Sequence, residues 1–203
     1  MKTALTRLAL AVCVVALSAF AHRVSAAETT ATLQIGSAAP DFELKDSTGK
    51  VHRLSDYKGK IVVLEWTNPT CPFVKRHYKA NTMKSLAEKY AKDGVVWLAI
   101  DSSHFVTAED SQKWIEQNKL SYPILIDADG KVGNLYGAKT TPHMFIVNKD
   151  GTLAYRGAID DDPRGEKEKP LNYVDAALAK LVAGQAPETV ETKPYGCSVK
   201  YKP

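Results

Sequence analysis

The sequence predicts a single α/β domain with a central sheet flanked by helices, and three observations carry that expectation. Ile61 to Trp66 and Val95 to Ile100 are nearly continuous apolar runs of β-formers, as in strands buried on both faces. Between them Val74, Tyr78, Leu86 and Tyr90 recur at multiples of four, with Met83 and Ala87 beside them, the period of an amphipathic helix. Strands that alternate with helices imply a sheet covered by helices on its faces.

The remaining elements follow in chain order. Asp41-Phe-Glu-Leu44 and Val51-His-Arg-Leu54 flank the turn cluster Asp-Ser-Thr-Gly and predict an N-terminal hairpin. After the second strand, Thr107 with Asp110 marks a helix start leading to Trp114 and Ile115. Ile124-Leu-Ile126 is a third strand, closed by Asp129-Gly130. Met144 to Val147 and Leu153 to Tyr155 flank Asn-Lys-Asp-Gly and form a closing hairpin. Tyr173, Val174, Ala177, Leu178 and Leu181 space a final helix. Residues 185–203, rich in Pro, Thr and Glu and carrying Cys197, are expected to form a flexible tail.

The first 26 residues read as a secretory signal peptide. Lys2 and Arg7 precede an apolar run from Leu8 to Ala21, and Val24-Ser25-Ala26 is a small-residue cleavage signal. The run is short of the roughly 20 residues a membrane span needs. Export to the periplasm or outside the cell is expected, with no membrane contact after cleavage. Removing 1–26 takes away Lys2, Arg7 and Arg23 and no acid, so 24 basic groups face 23 acidic ones over 177 residues. That balance gives no electrostatic case for nucleic acid. Cys71 and Cys197 remain, and an even count in an oxidising compartment invites pairing.

Cys71 is the focus of the chemistry. It follows the strand Ile61–Trp66, and Pro72, favoured at a first helical position, makes it the N-cap. A thiolate there faces unpaired amides and the positive end of the helix dipole, which lower its pKa. Lys75, four residues on, adds charge on the same side, whereas His77 points elsewhere. Glu65 lies inside the strand, where desolvation raises a carboxyl pKa and suits it to trade protons with a thiol. The alternatives are a structural Cys71 and a Glu65 turned to solvent. Where a Cys-x-x-Cys motif would place its second thiol stands Val74.

From about Gly36 to Val182 the chain resembles the thioredoxin superfamily, in the redoxin or peroxiredoxin-like (AhpC/TSA-type) branch. Val62-Val-Leu-Glu-Trp-Thr-Asn-Pro-Thr-Cys71-Pro resembles the active-site strand, with Cys71 at the first cysteine of CxxC. Glu65 stands at the family's buried acid, and Thr141-Pro142 resembles the cis-proline loop that lies against the active cysteine. Pro40-Asp-Phe42 with its hairpin resembles the redoxin N-terminal extension. The resemblance implies a thioredoxin-like fold over 27–184 and thiol–disulfide or hydroperoxide chemistry, with peroxide or a protein or small-molecule thiol as substrate. It also implies an external thiol electron donor.

The departures are equally specific. Peroxiredoxins carry Thr or Ser three residues before the peroxidatic cysteine; here Asn68 holds that place, and no activating arginine stands near Met144–Val147. Neither family mechanism is complete without a second thiol, and Cys197 is the candidate to resolve an intermediate on Cys71. The rival is a permanent Cys71–Cys197 staple in a non-catalytic module; closing a loop of about 126 residues contributes about 5 kcal/mol. A further alternative is a copper chaperone using Cys71 and His143. No cofactor is expected: the histidines lack paired metal spacing, and no Gly-rich phosphate loop is present. The acidic loop Asp160-Asp-Asp162 reads as a solvated turn.

Overall fold

The computed structural model describes residues 33–203, and the signal-peptide expectation for 1–26 lies outside them. The strands are β1 (Glu43–Asp46), β2 (Val51–Arg53), β3 (Val62–Trp66), β4 (Val96–Asp101), β5 (Ile124–Ile126), β6 (Thr140–Thr141), β7 (His143–Val147), β8 (Leu153–Gly157) and β9 (Cys197–Ser198). The helices are α1 (Pro72–Lys79), α2 (Thr82–Ala91), α3 (Ala108–Asn118), α4 (Lys131–Tyr136) and α5 (Tyr173–Val182). Seven strands form one mixed sheet in the order β2-β1-β5-β4-β3-β7-β8, and β6 pairs with β9 separately. This is the thioredoxin-like architecture the sequence implied, with the N-terminal hairpin extending the sheet through antiparallel pairing of β1 with β5.

β3 is central and buried along its whole length, so its alternation divides the core. Val63 faces the larger cluster with Val74 and Tyr78 of α1, Met83 and Leu86 of α2, and Val174 and Leu178 of α5. Val62, Leu64 and Trp66 face the second cluster, with Phe42, Tyr136 of α4 and Phe145. β3 runs parallel to β4 and antiparallel to β7, which pairs Glu65 with Met144 and Trp66 with His143. That register decides which side chains can meet Cys71.

Two local expectations change. The helix predicted across 74–90 breaks in two, because Asn81 takes a left-handed conformation at φ 56° and caps α2. Asparagine is among the few non-glycine residues that adopt it readily. α4 is a six-residue helix set between Gly130 and Gly137, too short to show a period in sequence.

The larger difference concerns residues 190–201. They are a docked strap. Thr192 N–H donates to Arg156 O at 3.1 Å, Val199 N–H to Lys139 O at 3.1 Å, and His104 N–H to Lys200 O at 2.9 Å. Val199 enters the second core cluster, and the Tyr201 hydroxyl donates to Ala138 O at 2.8 Å. β9 lies antiparallel to β6, Cys197 opposite Thr141.

Candidate active site

The loop after β3 is shaped by Asn68. Its Oδ1 accepts from Thr70 N–H and Oγ1, each at 2.7 Å, while its Nδ2 donates to Ser103 Oγ at 2.8 Å. Cys71 N–H closes the turn on Asn68 O at 3.0 Å, and Cys71 then caps α1 in an extended conformation ahead of Pro72. The thiol is 2% exposed and donates to Thr141 O at 3.0 Å. The Thr141–Pro142 bond is cis, and both residues are buried.

Burial pushes the Cys71 pKa up, yet the balance lowers it, through hydrogen bonds from the Cys197 side chain, the Thr141 side chain and the Val74 and Cys197 amides. With Cys71 protonated the buried Thr141 hydroxyl makes no hydrogen bond, and a thiolate at Cys71 offers it one. Cys197 shifts the opposite way, up to about 11, through burial and then the neighbouring Cys71. Both cysteines are free. Of the two adjacent thiols, Cys71 therefore gives up its proton the more readily, and the thiolate forms on Cys71 before Cys197. Val74, where a second CxxC thiol would stand, is fully buried in the core.

Glu65 is fully buried, which excludes the solvent-facing alternative. Tyr78 Oη donates to its Oε1 at 2.9 Å; Trp97 Nε1 at 2.8 Å and Tyr122 Oη at 3.5 Å donate to Oε2. Burial raises its pKa to about 7 against the lowering effect of Trp97, Tyr78, Thr67 and Tyr122. Its oxygens are bonded to these rings and not to Cys71, so proton exchange between the two requires a relay.

Two expected residues do not join the site. Lys75 is exposed and stands outside the main influences on Cys71. The copper alternative needs His143 near Cys71. Its strand partner is Trp66, on the face opposite Met144 and Cys71, and its Nδ1 accepts from Lys139 N–H at 3.2 Å. Among the described residues no group of three or more His, Cys, Asp or Glu could hold a metal ion.

The structure adds residues that sequence reasoning passed over. His77 is buried and its Nε2 lies 2.9 Å from Tyr195 Oη, which also bonds Asp160. Asp162 is no solvated turn residue: it accepts amides of Gly165, Glu166 and Lys167 at 2.8–3.0 Å.

Residues 35–156 match the model of the AhpC/TSA family. The chain belongs to that family. It is 36% identical over 119 residues to the thiol-disulfide oxidoreductase ResA of Geobacillus thermodenitrificans, a match covering 59% of this chain and 66%, just under two thirds, of that protein's length. An uncharacterized conserved protein from Geobacillus kaustophilus superposes with TM-score 0.77 at 31% identity, covering 85% of this chain and 95% of the other. A putative thiol:disulfide interchange protein DsbE from Chlorobium tepidum superposes with TM-score 0.55 at 27% identity over 62% of this chain and 85% of the other. Thiol redox proteins are thus the relatives of this fold. Residues 157–203, which carry Cys197, fall outside the family match.

Proposed function

We propose that the protein is a thiol–disulfide oxidoreductase in which Cys71 attacks and Cys197 resolves. The Cys71 thiolate attacks one sulfur of a substrate disulfide, forming a mixed disulfide and releasing a substrate thiolate. Cys197 then attacks the Cys71 sulfur, the Cys71–Cys197 bond forms, and the second substrate thiolate leaves with the proton that Cys197 gave up. The substrate disulfide is reduced and the cysteine pair oxidised, to be restored by an external thiol donor. One observation supports this most: two unbonded thiols lie together with opposed proton affinities. Thr141 and Pro142 wall the thiolate, and Glu65 acts as a proton store behind it. Cys71 is buried beneath the strap, so the strap shifts for a substrate to enter.

Hydroperoxide reduction is the second reading, favoured by the family match. Its steps are attack of the thiolate on peroxide oxygen, which breaks the O–O bond to give a sulfenic acid and, with a proton, releases water or an alcohol, then condensation with the Cys197 thiol to form the disulfide and release water. Asn68 at the place of the peroxidatic threonine weighs against it, as does the engagement of Arg76 with Pro163 and Asp162 carbonyls. Export through residues 1–26 completes the proposal, placing the protein in the periplasm or outside the cell. Among the described residues no helix is long and apolar enough to cross a membrane.

Peptide mapping under non-reducing conditions tests the cycle. Reduced protein treated with one equivalent of an aromatic disulfide or of hydrogen peroxide is expected to give a Cys71–Cys197 peptide that thioredoxin or a small dithiol reduces readily. A bond that resists these reductants and whose loss destabilises the fold by about 2–5 kcal/mol identifies a staple instead. The aromatic disulfide reacting much faster than peroxide selects the first reading.

A further inference from the structure

The strap is pinned on both sides of Cys197. On one side is the short β6–β9 ladder. On the other is Tyr195, whose hydroxyl collects groups from three parts of the chain. It donates to Asp160 Oδ1, lies 2.9 Å from His77 Nε2 and accepts from Arg76 Nη2 at 3.3 Å. A phenol has one proton and two lone pairs, so with its proton given to Asp160 it can accept from Arg76 and, in the Nε2–H tautomer, from His77; in the other tautomer His77 Nε2 accepts from Arg76 Nη2, 3.3 Å away. His77 is neutral: burial drives its pKa to about 4, with Arg76 assisting and Asp160 and Asp162 opposing. The Tyr195 ring also lies 6.1 Å from Phe73 and 6.2 Å from His77, side chains of the helix that Cys71 caps. The helix that holds the attacking thiol is thereby tied to the segment that holds its partner.

Cys197 needs such support. Burial, the largest cause of its raised pKa, persists when Cys71 is in a mixed disulfide and keeps Cys197 a scarce nucleophile, so its rate depends on how well it is held against the Cys71 sulfur. Gly196, between the two anchors, has φ 134° and lies so close to the Thr141 carbonyl that an added Cβ would collide with its oxygen. That leaves no slack between the tyrosine and the thiol. We propose that Tyr195 is a positioning residue for the resolving step, its hydroxyl fixing Cys197 beside Cys71 through His77, Asp160 and Arg76. The role rests on the reading that Cys197 resolves Cys71.

A chromogenic aromatic disulfide, dithionitrobenzoate, reads the two steps separately in the full chain. The first thionitrobenzoate is released as Cys71 forms the mixed disulfide. The second leaves as Cys197 attacks the Cys71 sulfur, its thiol proton passing to solvent. Tyr195→Phe is expected to leave the first release complete and slow the second about tenfold, the scale of losing hydrogen bonds to charged partners. The alkylation midpoint of Cys71 should also rise, because the Cys197 thiol and amide no longer bear steadily on its sulfur. Asp160→Asn, which keeps an acceptor oxygen, should fall between Tyr195→Phe and wild type in both measurements. A merely structural tyrosine would lower thermal stability and leave the second phase and the midpoint unchanged, which overturns the proposal. A wild-type protein that shows the first release and never the second overturns the parent reading and this role together. A normal second phase in the wild type and an equal one in Tyr195→Phe overturns this role alone.

Discussion

Cys71 and Cys197 are neighbours held by two different kinds of structure. Cys71 sits where β3 meets α1, within the stretch that matches the AhpC/TSA family; its turn and cap come from close in sequence, from Asn68, Pro72 and Val74, and the distant Thr141 carbonyl meets its sulfur from within the same matched stretch. Cys197 lies outside that stretch and is placed by contacts with Thr141, Asp160 and His77, through Tyr195, across large separations in the chain. The first environment is part of the core and changes only if the sheet changes. The second is laid over the finished domain and can loosen while the sheet persists. The proton affinities follow this division, lowered at the thiol on the rigid side and raised at the one on the strap.

The comparison breaks most sharply at Gly196. In Gly196→Val the side chain meets the Thr141 carbonyl at a backbone angle that branched residues avoid, costing about 4 kcal/mol together. Strap release is the way out, so iodoacetamide should alkylate Cys71 about a hundredfold faster while the far-ultraviolet spectrum stays native. Unchanged alkylation would show that the strap does not shield the thiol.

Glu65 tests the rigid side. Its folded pKa, about 7, lies above the ordinary 4.5, so the folded state holds the extra proton between those values and stability falls as pH rises through them. The full difference corresponds to about 3 kcal/mol. Between pH 4.5 and pH 8, denaturant unfolding should show a loss about 3 kcal/mol larger in wild type than in Glu65→Gln, because Asp101 and the buried His77 and His143 titrate in both proteins. Equal slopes in the two proteins would assign the loss to other groups.

Val74→Cys moves the resolving function from strap to helix. The side chains are similar in volume, so the cost should stay within about 1.5 kcal/mol. In a Cys197→Ser background, mapping after oxidation should find Cys71 joined to the introduced thiol, and the absence of that bond would show that core packing denies the position to a resolving sulfur. The smallest effect belongs to Lys75→Ala. Its exposed charge should leave stability within about 0.5 kcal/mol and the alkylation midpoint of Cys71 unchanged. A raised midpoint would restore Lys75 to the site.

These two regions were also unequally legible. The strand into Cys71, the proline that opens α1 and the acid within the strand are written in neighbouring residues, where hydrophobic runs and helix-start chemistry act locally, while the Thr141-Pro142 loop is legible only through the family resemblance. The strap has no such signature. Tyr195 and His77 stand 118 positions apart, and nothing periodic joins them. Lys75 was read from helical spacing, which gives a side but not a distance. His143 required the register of β7 against β3, since one step along a strand exchanges the faces. The single long helix failed at Asn81, whose left-handed turn is a backbone choice that apolar spacing does not report.

The two-residue pairing of β6 with β9 also has a mechanical side. Tension applied to the chain beyond Ser198 falls first on that short ladder, on the Tyr201 and Val199 contacts, and next on the tyrosine hub. None of these is covalent while the thiols are free, so the strap can peel away as the sheet beneath keeps its shape. Were Cys71 and Cys197 joined, the same pull would pass through a sulfur–sulfur bond directly into the end of the central strand. One pair of electrons would then separate a peelable segment from a tethered one.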